Sequence, residues 1–230
     1  MSSFFDTPTA VPNITTVAQI AEMVVMKLPG CANTIIRKTL TDIYREFCMH
    51  SDALKTVRKV TLEKDVDVYP LLPIYNTTAI RHVSEVRLNR RRLDPGKDYR
   101  LIDGEPLKLC ISFRHLPDPE EEIAAARRPE LAIGGRKPSV LEIFTVEVPN
   151  YGSEDAPDWF IKKYAEAIAA GTIARLAAMT GKAWSDTAVA SIEAQKYDGF
   201  LNEAKIKSFG GDVSQSGNCH VDVVDTSGVL

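Results

Sequence analysis

Apolar residues keep a helical period at both ends of the chain and a strand period in the middle. From about Thr15 to Leu28, the residues Val17, Ile20, Ala21, Val24, Val25 and Leu28 recur at helical spacing as one apolar stripe. Pro29 cannot continue the hydrogen-bond ladder and Gly30 can take a left-handed cap, so this first helix should end there. A second helix is expected from about Ala32 to Met49. Ile36, Leu40, Ile43 and Phe47 line its dry side, and Arg37, Lys38, Asp42, Arg45 and Glu46 its wet side. The connection is so short that the two helices should form an antiparallel hairpin.

From about Lys55 the period changes to two. Val60 and Leu62 alternate with Lys59, Thr61 and Glu63. Val66, Val68, Leu71 and Leu72 follow, interrupted by Pro70 and Pro73, which suits an edge or a bend. Val83 to Leu93 alternates as one strand, Tyr99 to Ile102 is a short one, and Leu107 to Phe113 returns beside it. Asp94-Pro95-Gly96-Lys97 and Asp103-Gly104 are turn signals. These spacings predict an antiparallel meander. Residues 117–139, with four prolines, a Glu120-Glu121-Glu122 run and Gly134-Gly135, read as a long loop that has room for a helical turn at Ile123 to Arg127, the glutamates being its solvated start. Val140 to Pro149 is a strand with Phe144, Val146 and Val148 on one face and Leu141, Ile143, Thr145 and Glu147 on the other.

A third helix follows Asp155-Ala156-Pro157-Asp158, with Ile161, Ala165, Ile168, Thr172 and Leu176 as its stripe. Its many alanines and Gly171 make it slim, so a neighbour should pack close. Ser185 is the expected cap of a fourth helix, about Asp186 to Ser208. Ala190, Ala194, Tyr197, Leu201 and Ala204 make one face, while Val189, Ile192 and Phe200 point elsewhere. That division fits contact on two sides, including another subunit, or one poorly marked core face. Beyond Phe209 the composition is that of a linker, followed by the strand-like segment His220 to Asp225. It reads as an arm that docks by strand addition or as an unstructured tail.

The expected architecture is α+β: a four-helix bundle formed by N- and C-terminal helix pairs, with an inserted antiparallel β-rich lobe and an extended C-terminal tail. Residues 1–14 would be an N-terminal arm, 15–54 and 155–209 the bundle, 55–154 the β lobe, and 210–230 the C-terminal arm.

Composition narrows the function classes. A net charge of -3 argues against a dedicated nucleic-acid binder, which normally carries a basic excess. No apolar run approaches the roughly 20 residues that span a membrane, and the first residues do not read as a secretory signal. Cys31 and Cys48 would sit near opposite ends of one helix, about 25 Å apart at 1.5 Å per residue, too far to bridge. Cys31, Cys48, Cys110 and Cys219 read as reduced, and the chain as made in a cytosol.

No reactive constellation emerges. Cys48 and His50 point away from each other on a helix, and Cys219-His220 chelate poorly, so no metal site and no cofactor are expected. Cys31 begins a helix, but His50 and His82 have no sequence reason to meet it. Gly134-Gly135-Arg136-Lys137 lacks the spacing of a phosphate loop. Arg90-Arg91-Arg92 is the sharpest basic run, either DNA-facing or a solvated strand end. Candidate interface residues are Trp159, Phe160 and Trp184, each an anchor or a staple of its helix end. Tyr197 and Phe200 on the fourth helix, and Val221, Val223 and Val224 in the tail, complete that set.

Two stretches carry a family resemblance. Leu28-Pro29-Gly30-Cys31-Ala32, leading to Arg45-Glu46-Phe47-Cys48, resembles the opening of head-to-tail adaptor (connector, head-completion) proteins of tailed bacteriophages, with Ala32 where a second proline is common. Ala169-Ala170-Gly171-Thr172-Ile173-Ala174-Arg175-Leu176, followed by Met179-Thr180-Gly181-Lys182-Ala183-Trp184-Ser185-Asp186, is similar to the same group's later helix and turn. Leu93-Asp94-Pro95-Gly96-Lys97-Asp98-Tyr99, with Asp103-Gly104, resembles a strand-turn element of phage structural proteins. The resemblance spans roughly residues 16–208. It implies a non-enzymatic virion protein, made in the host cytoplasm and located in the neck between capsid and tail. The family forms rings, typically of twelve copies, that join the portal to a tail or nozzle protein and let DNA pass without tight binding. Another neck or tail-assembly component is the nearest alternative. A nucleic-acid-binding module using the Arg87-to-Arg92 strand is a more distant one; it predicts steep salt dependence, where the adaptor predicts little affinity for free DNA.

Overall fold

The opening stripe does not form one helix. In the computed structural model, which describes residues 13–62, 66–112 and 140–209, the chain enters through a three-residue strand, β1 (Ile14–Thr16). The Thr16 side chain then accepts a hydrogen bond from the Ala18 N–H and starts a 3-10 turn (Val17–Ile20). Only seven residues, α1 (Ala21–Lys27), are α-helical. Gly30 holds φ of +88°, the left-handed conformation expected of it, and α2 (Asn33–Ser51) follows.

β1 pairs antiparallel with β9 (Asp155–Pro157), the segment expected only to lead into the third helix. This small ribbon ties the entry of the chain to the start of α3 (Asp158–Ala177), which runs on to α4 (Thr187–Phe209) through a turn at Gly181.

The expected four-helix bundle of two helix pairs is therefore not what the chain forms. The fold is a mixed α+β one. The first helix is too short to be a bundle partner, because its first turns are spent on β1 and the 3-10 turn. Three long helices, α2, α3 and α4, pack on one another, and α1 covers one end of α2 and α3. α3 lies at the centre and is buried almost all round from Ala167 to Ile173, rather than along a single stripe. Its core is aromatic: Phe160 lies 5.2 Å from Tyr44 and 5.0 Å from Tyr164, and Phe47 lies 5.1 Å from Tyr164, ring centre to ring centre. Such tilted contacts add to what area burial alone contributes.

The middle of the chain is not one meander. β8 (Val140–Pro149) inserts between β2 (Lys55–Thr61) and β4 (Thr78–Leu88), giving a sheet ordered β2-β8-β4-β5 with β5 (Arg91–Arg92) at its end. As the central strand, β8 is buried on both faces. A second sheet, β3-β7-β6, contains β3 (Val68–Leu71), β7 (Leu107–Ile111) and β6 (Tyr99–Ile102). Pro70 sits in β3, an edge strand, where its missing N–H costs no ladder bond. Val60, Val86, Leu141 and Ile143 of the first sheet share one core with Leu71, Leu109 and Ile111 of the second.

Between the helical core and this sandwich lies a buried polar knot. The Glu147 carboxylate accepts hydrogen bonds from the Thr56 hydroxyl (2.9 Å), the Ile74 N–H (2.9 Å) and the Thr78 hydroxyl. Thr56 and Thr145 share another at 2.7 Å. The Glu147 N–H donates to the Leu54 carbonyl at 2.9 Å, joining the knot to the end of α2. Arg58 is buried two residues along β2 from Thr56, on the same face, and among the described residues its Nε has no hydrogen-bond partner. Burial pulls its guanidinium below the usual arginine range, and the charge of Glu147 opposes that.

Candidate functional site: an outward helix face and an arginine hairpin

α4 shows why its faces are hard to read in sequence. Val189, Ala190, Glu193, Tyr197, Phe200, Leu201 and Ala204 all turn toward the helical core. The charged Glu193 sits in the middle of this face, paired with Lys196 (2.8 Å) and Lys27 of α1 (3.7 Å). There is thus one core face, and Ala194, assigned to it by periodicity, is exposed. The outward side carries Ile192 and Ile206, both exposed, and Gly199, around which nothing lies within 4 Å of where a Cβ would be. A glycine in a helix interior costs up to about 1 kcal/mol against alanine, and nothing in the described part of the chain uses the space it leaves.

The candidate anchors divide. Phe160 is fully buried in the chain's own aromatic core, and Tyr197 is nearly so. Trp159 is half-buried and meets Phe160 edge-on at 5.6 Å, stapling the start of α3. Trp184 and Phe200 are half-buried against the helical core. Val221, Val223 and Val224 lie outside the described residues, as do Cys219, the Gly134-to-Lys137 stretch and the loop 117–139.

Ser185 does not cap α4. Its hydroxyl donates to the Met179 carbonyl and accepts from the Lys182 N–H at 3.0 Å, closing the turn before the helix. Asp186 is the cap: its Oδ1 accepts from the N–H groups of Ala188 (2.9 Å) and Val189 (3.0 Å).

The basic run is presented by a hairpin that sequence alternation had joined into one strand. β4 stops at Leu88, Asn89 and Arg90 form a two-residue turn with φ of +49° and +71°, and β5 returns through Arg91 and Arg92. Such a turn normally uses Asn-Gly or Asp-Gly; here arginine holds the glycine position. Asn89 pins it, because its N–H donates to the Val140 carbonyl and its Oδ1 accepts from the Val140 N–H, both at 2.9 Å. Glu85 grips Arg87 through two bonds of 2.9 and 3.0 Å and lies 3.9 Å from Arg92. The Arg87 hydrogen bond holds the Glu85 carboxyl below its ordinary range. Arg90, Arg91 and Arg92 are all exposed.

Among the described residues no group of His, Cys, Asp and Glu is placed to hold a metal ion, and no helix is long and apolar enough to cross a membrane. Burial pushes the thiols of Cys31 and Cys48 up, so each is protonated at neutral pH. No protein-family model matches the chain, and no curated protein does.

Proposed function

We propose that this chain is a virion structural protein, a head-to-tail adaptor whose copies assemble as a ring between a phage portal and the tail. The observation that carries the reading is the contact between its two family-like stretches. Arg175, from the Ala-Arg-Leu part of α3, is ion-paired to Glu46, from the Glu-Phe-Cys end of α2, across 129 residues of sequence. Two further parts of the resemblance occupy the turns that set this helical layer, the Pro29-Gly30 bend between α1 and α2 and the Gly181-to-Ser185 turn between α3 and α4, while the Leu93-to-Tyr99 part lies in the β region. Residues resembling one family thus act together as one packing unit, which supports common descent over chance similarity of short motifs.

The outward side of α4 is the natural contact between subunits in this reading. Ile192, Gly199 and Ile206 present apolar surface with room for close approach, whereas Phe160 and Tyr197 already serve the chain's own core. The ring would extend the DNA channel, dock a tail or nozzle protein on its far side, and let DNA slide through. Its size follows the family's habit of twelve copies.

The test is mass in solution by light scattering, with negative-stain imaging, for the chain alone and with a candidate portal. Rings, free or formed only on the portal, support the adaptor. A monomer indifferent to every portal tried would overturn it. Gly199→Leu, which fills the open position without touching the core, should abolish ring formation and leave a folded monomer.

A further inference from the structure

We infer that the hairpin at Asn89-Arg90, together with the depression beside it, is a contact site for the phosphate backbone of nucleic acid. Three observations converge. First, Arg90 occupies a left-handed turn position that glycine, asparagine or aspartate would fill with less strain, so the charge at the tip is held there against local preference. Second, the cations outnumber their partners. Glu85 neutralises Arg87 and reaches toward Arg92, and Glu142, opposite Arg87 on β8, adds a second carboxylate there, but among the described residues neither Arg90, Arg91 nor Arg100 is ion-paired. The nearby Asp98 turns inward, its carboxylate accepting the Asp94 N–H at 2.9 Å; Asp94 itself is exposed on the turn leading to β6. Third, the arginines converge from two sheets. Arg92 of β5 and Arg100 of β6 line one depression of about 350 Å³ with Tyr99, Leu93 and Glu85, whose carboxylate is already held by Arg87.

An exposed tip whose Arg90 and Arg91 have no ion-pair partner among the described residues fits a polyanion that is read by charge rather than by sequence. Arginine donates paired N–H groups to phosphate oxygens in a fixed fork. Arg87 and Arg92 face each other across the ladder, where like charges repel; Glu85 relieves that pair, and a phosphate would relieve Arg90 and Arg91 in the same way. Three or four such contacts give a weak interaction with a strong salt dependence, of slope about -3 in log affinity against log salt. Binding this weak is confined to low salt, so it leaves little affinity for free DNA at physiological salt. The inference rests on the hairpin itself and does not require the adaptor reading.

The experiment is fluorescence anisotropy of the full chain with a labelled random-sequence DNA duplex over a salt series. Labelled polyglutamate of matched charge is the second probe. The variant Arg90→Asn/Arg91→Gln removes two charges while Asn suits the left-handed position, and its circular dichroism and melting temperature should match the parent. The expected result is duplex binding at low salt with a slope near the value above, weakened about tenfold in the variant and restored by Arg90→Lys/Arg91→Lys. Absence of binding at the lowest salt, or a variant that binds as the parent does, would overturn the proposal. Polyglutamate bound as tightly as DNA would overturn the choice of phosphate and point to an acidic protein surface. Ring formation on a portal, measured on the same variant, is expected to be unchanged, so each reading can fail without the other.

Discussion

Gly171 of α3 lies so close to Tyr197 of α4 that a Cβ at position 171 would sit 2.7 Å from a carbon of the tyrosine ring. The same atom would come within 2.9 Å of the Ile43 side chain of α2. One missing methyl group thus sets the approach of all three long helices. The alanines around it are slim for the same purpose, but Gly171 is the position where even alanine does not fit.

Gly171→Ala should therefore destabilise the protein, although alanine is the better helix former by up to about 1 kcal/mol. Overpacking of a well-filled core typically costs about 1–3 kcal/mol, and here the neighbours are a buried ring and a β-branched side chain. Urea denaturation should show a lower midpoint. Tyr197→Leu in the same background should recover part of the loss, since it removes the ring that the new methyl strikes. A stabilised Gly171→Ala protein would mean that the helices can part at no cost.

Asp186→Ala should cost about 1 kcal/mol, the usual value of a helix cap, because two N–H groups at the start of α4 lose their acceptor. Asp186→Asn keeps an acceptor oxygen and should retain most of the stability. Ser185→Ala acts on the turn rather than on the helix end. Thermal melts of the three variants would separate the roles, and an Asp186→Ala protein melting with the parent would remove the cap assignment.

Alkaline pH should unfold the helical layer. Burial raises the phenol of Tyr164 from 10.0 to about 12, and it pushes Tyr44 and Tyr197 upward as well. In the unfolded chain these phenols lose their protons near pH 10; in the folded chain they keep them. The folded state therefore binds more protons in this window. Its stability is fully present below pH 10 and is lost as pH rises through about 12. Tyrosinate absorbance and helical circular dichroism should change together over this range. Full tyrosinate formation with the helices intact would show that these rings are not held neutral by the fold.

Local pattern carried much of this fold, and non-local pairing hid the rest. The dry stripe of α2, the Gly30 bend and the Pro95-Gly96 turn follow from spacing and backbone chemistry alone. The placement of β8 between β2 and β4 does not, because nothing local in Val140 to Pro149 names its neighbours. β1 is three residues long, too short for a period, and its partner β9 looks like a helix lead-in. α3 shows a weak stripe because it is buried almost all round, and Glu193 masks the core face of α4 by being a paired charge. In the candidate site, the arginine run was visible as composition, whereas its hairpin was not, since Asn89-Arg90 lacks the usual glycine. An aromatic such as Phe160 reads alike whether it anchors a partner or fills a core; only its burial separates the two.

The polar knot gives the sharpest test of how the helical layer holds the sandwich. Glu147 accepts from two threonine hydroxyls and the Ile74 N–H, and its charge acts on the buried Arg58, although no hydrogen bond or ion pair joins the two; among the described residues the Arg58 Nε has no partner. Glu147→Ala would leave the Ile74 N–H unpaired and remove the carboxylate that opposes the buried Arg58 charge. Leaving a buried N–H without its acceptor costs about 1–3 kcal/mol. The threonines can soften this, because Thr56 can turn to Thr145 and Thr78 to the Tyr75 carbonyl. Glu147→Gln keeps one acceptor but brings an NH2 group into a site of donors, so it should fall between the parent and Glu147→Ala. Arg58→Met/Glu147→Met should be less damaged than Glu147→Ala, because it also removes the buried Arg58 charge that Glu147 favours. Urea midpoints of these proteins and of the single variants Arg58→Met and Glu147→Met test the ordering, and a double variant as unstable as the sum of its single variants would show that Arg58 and Glu147 are held independently.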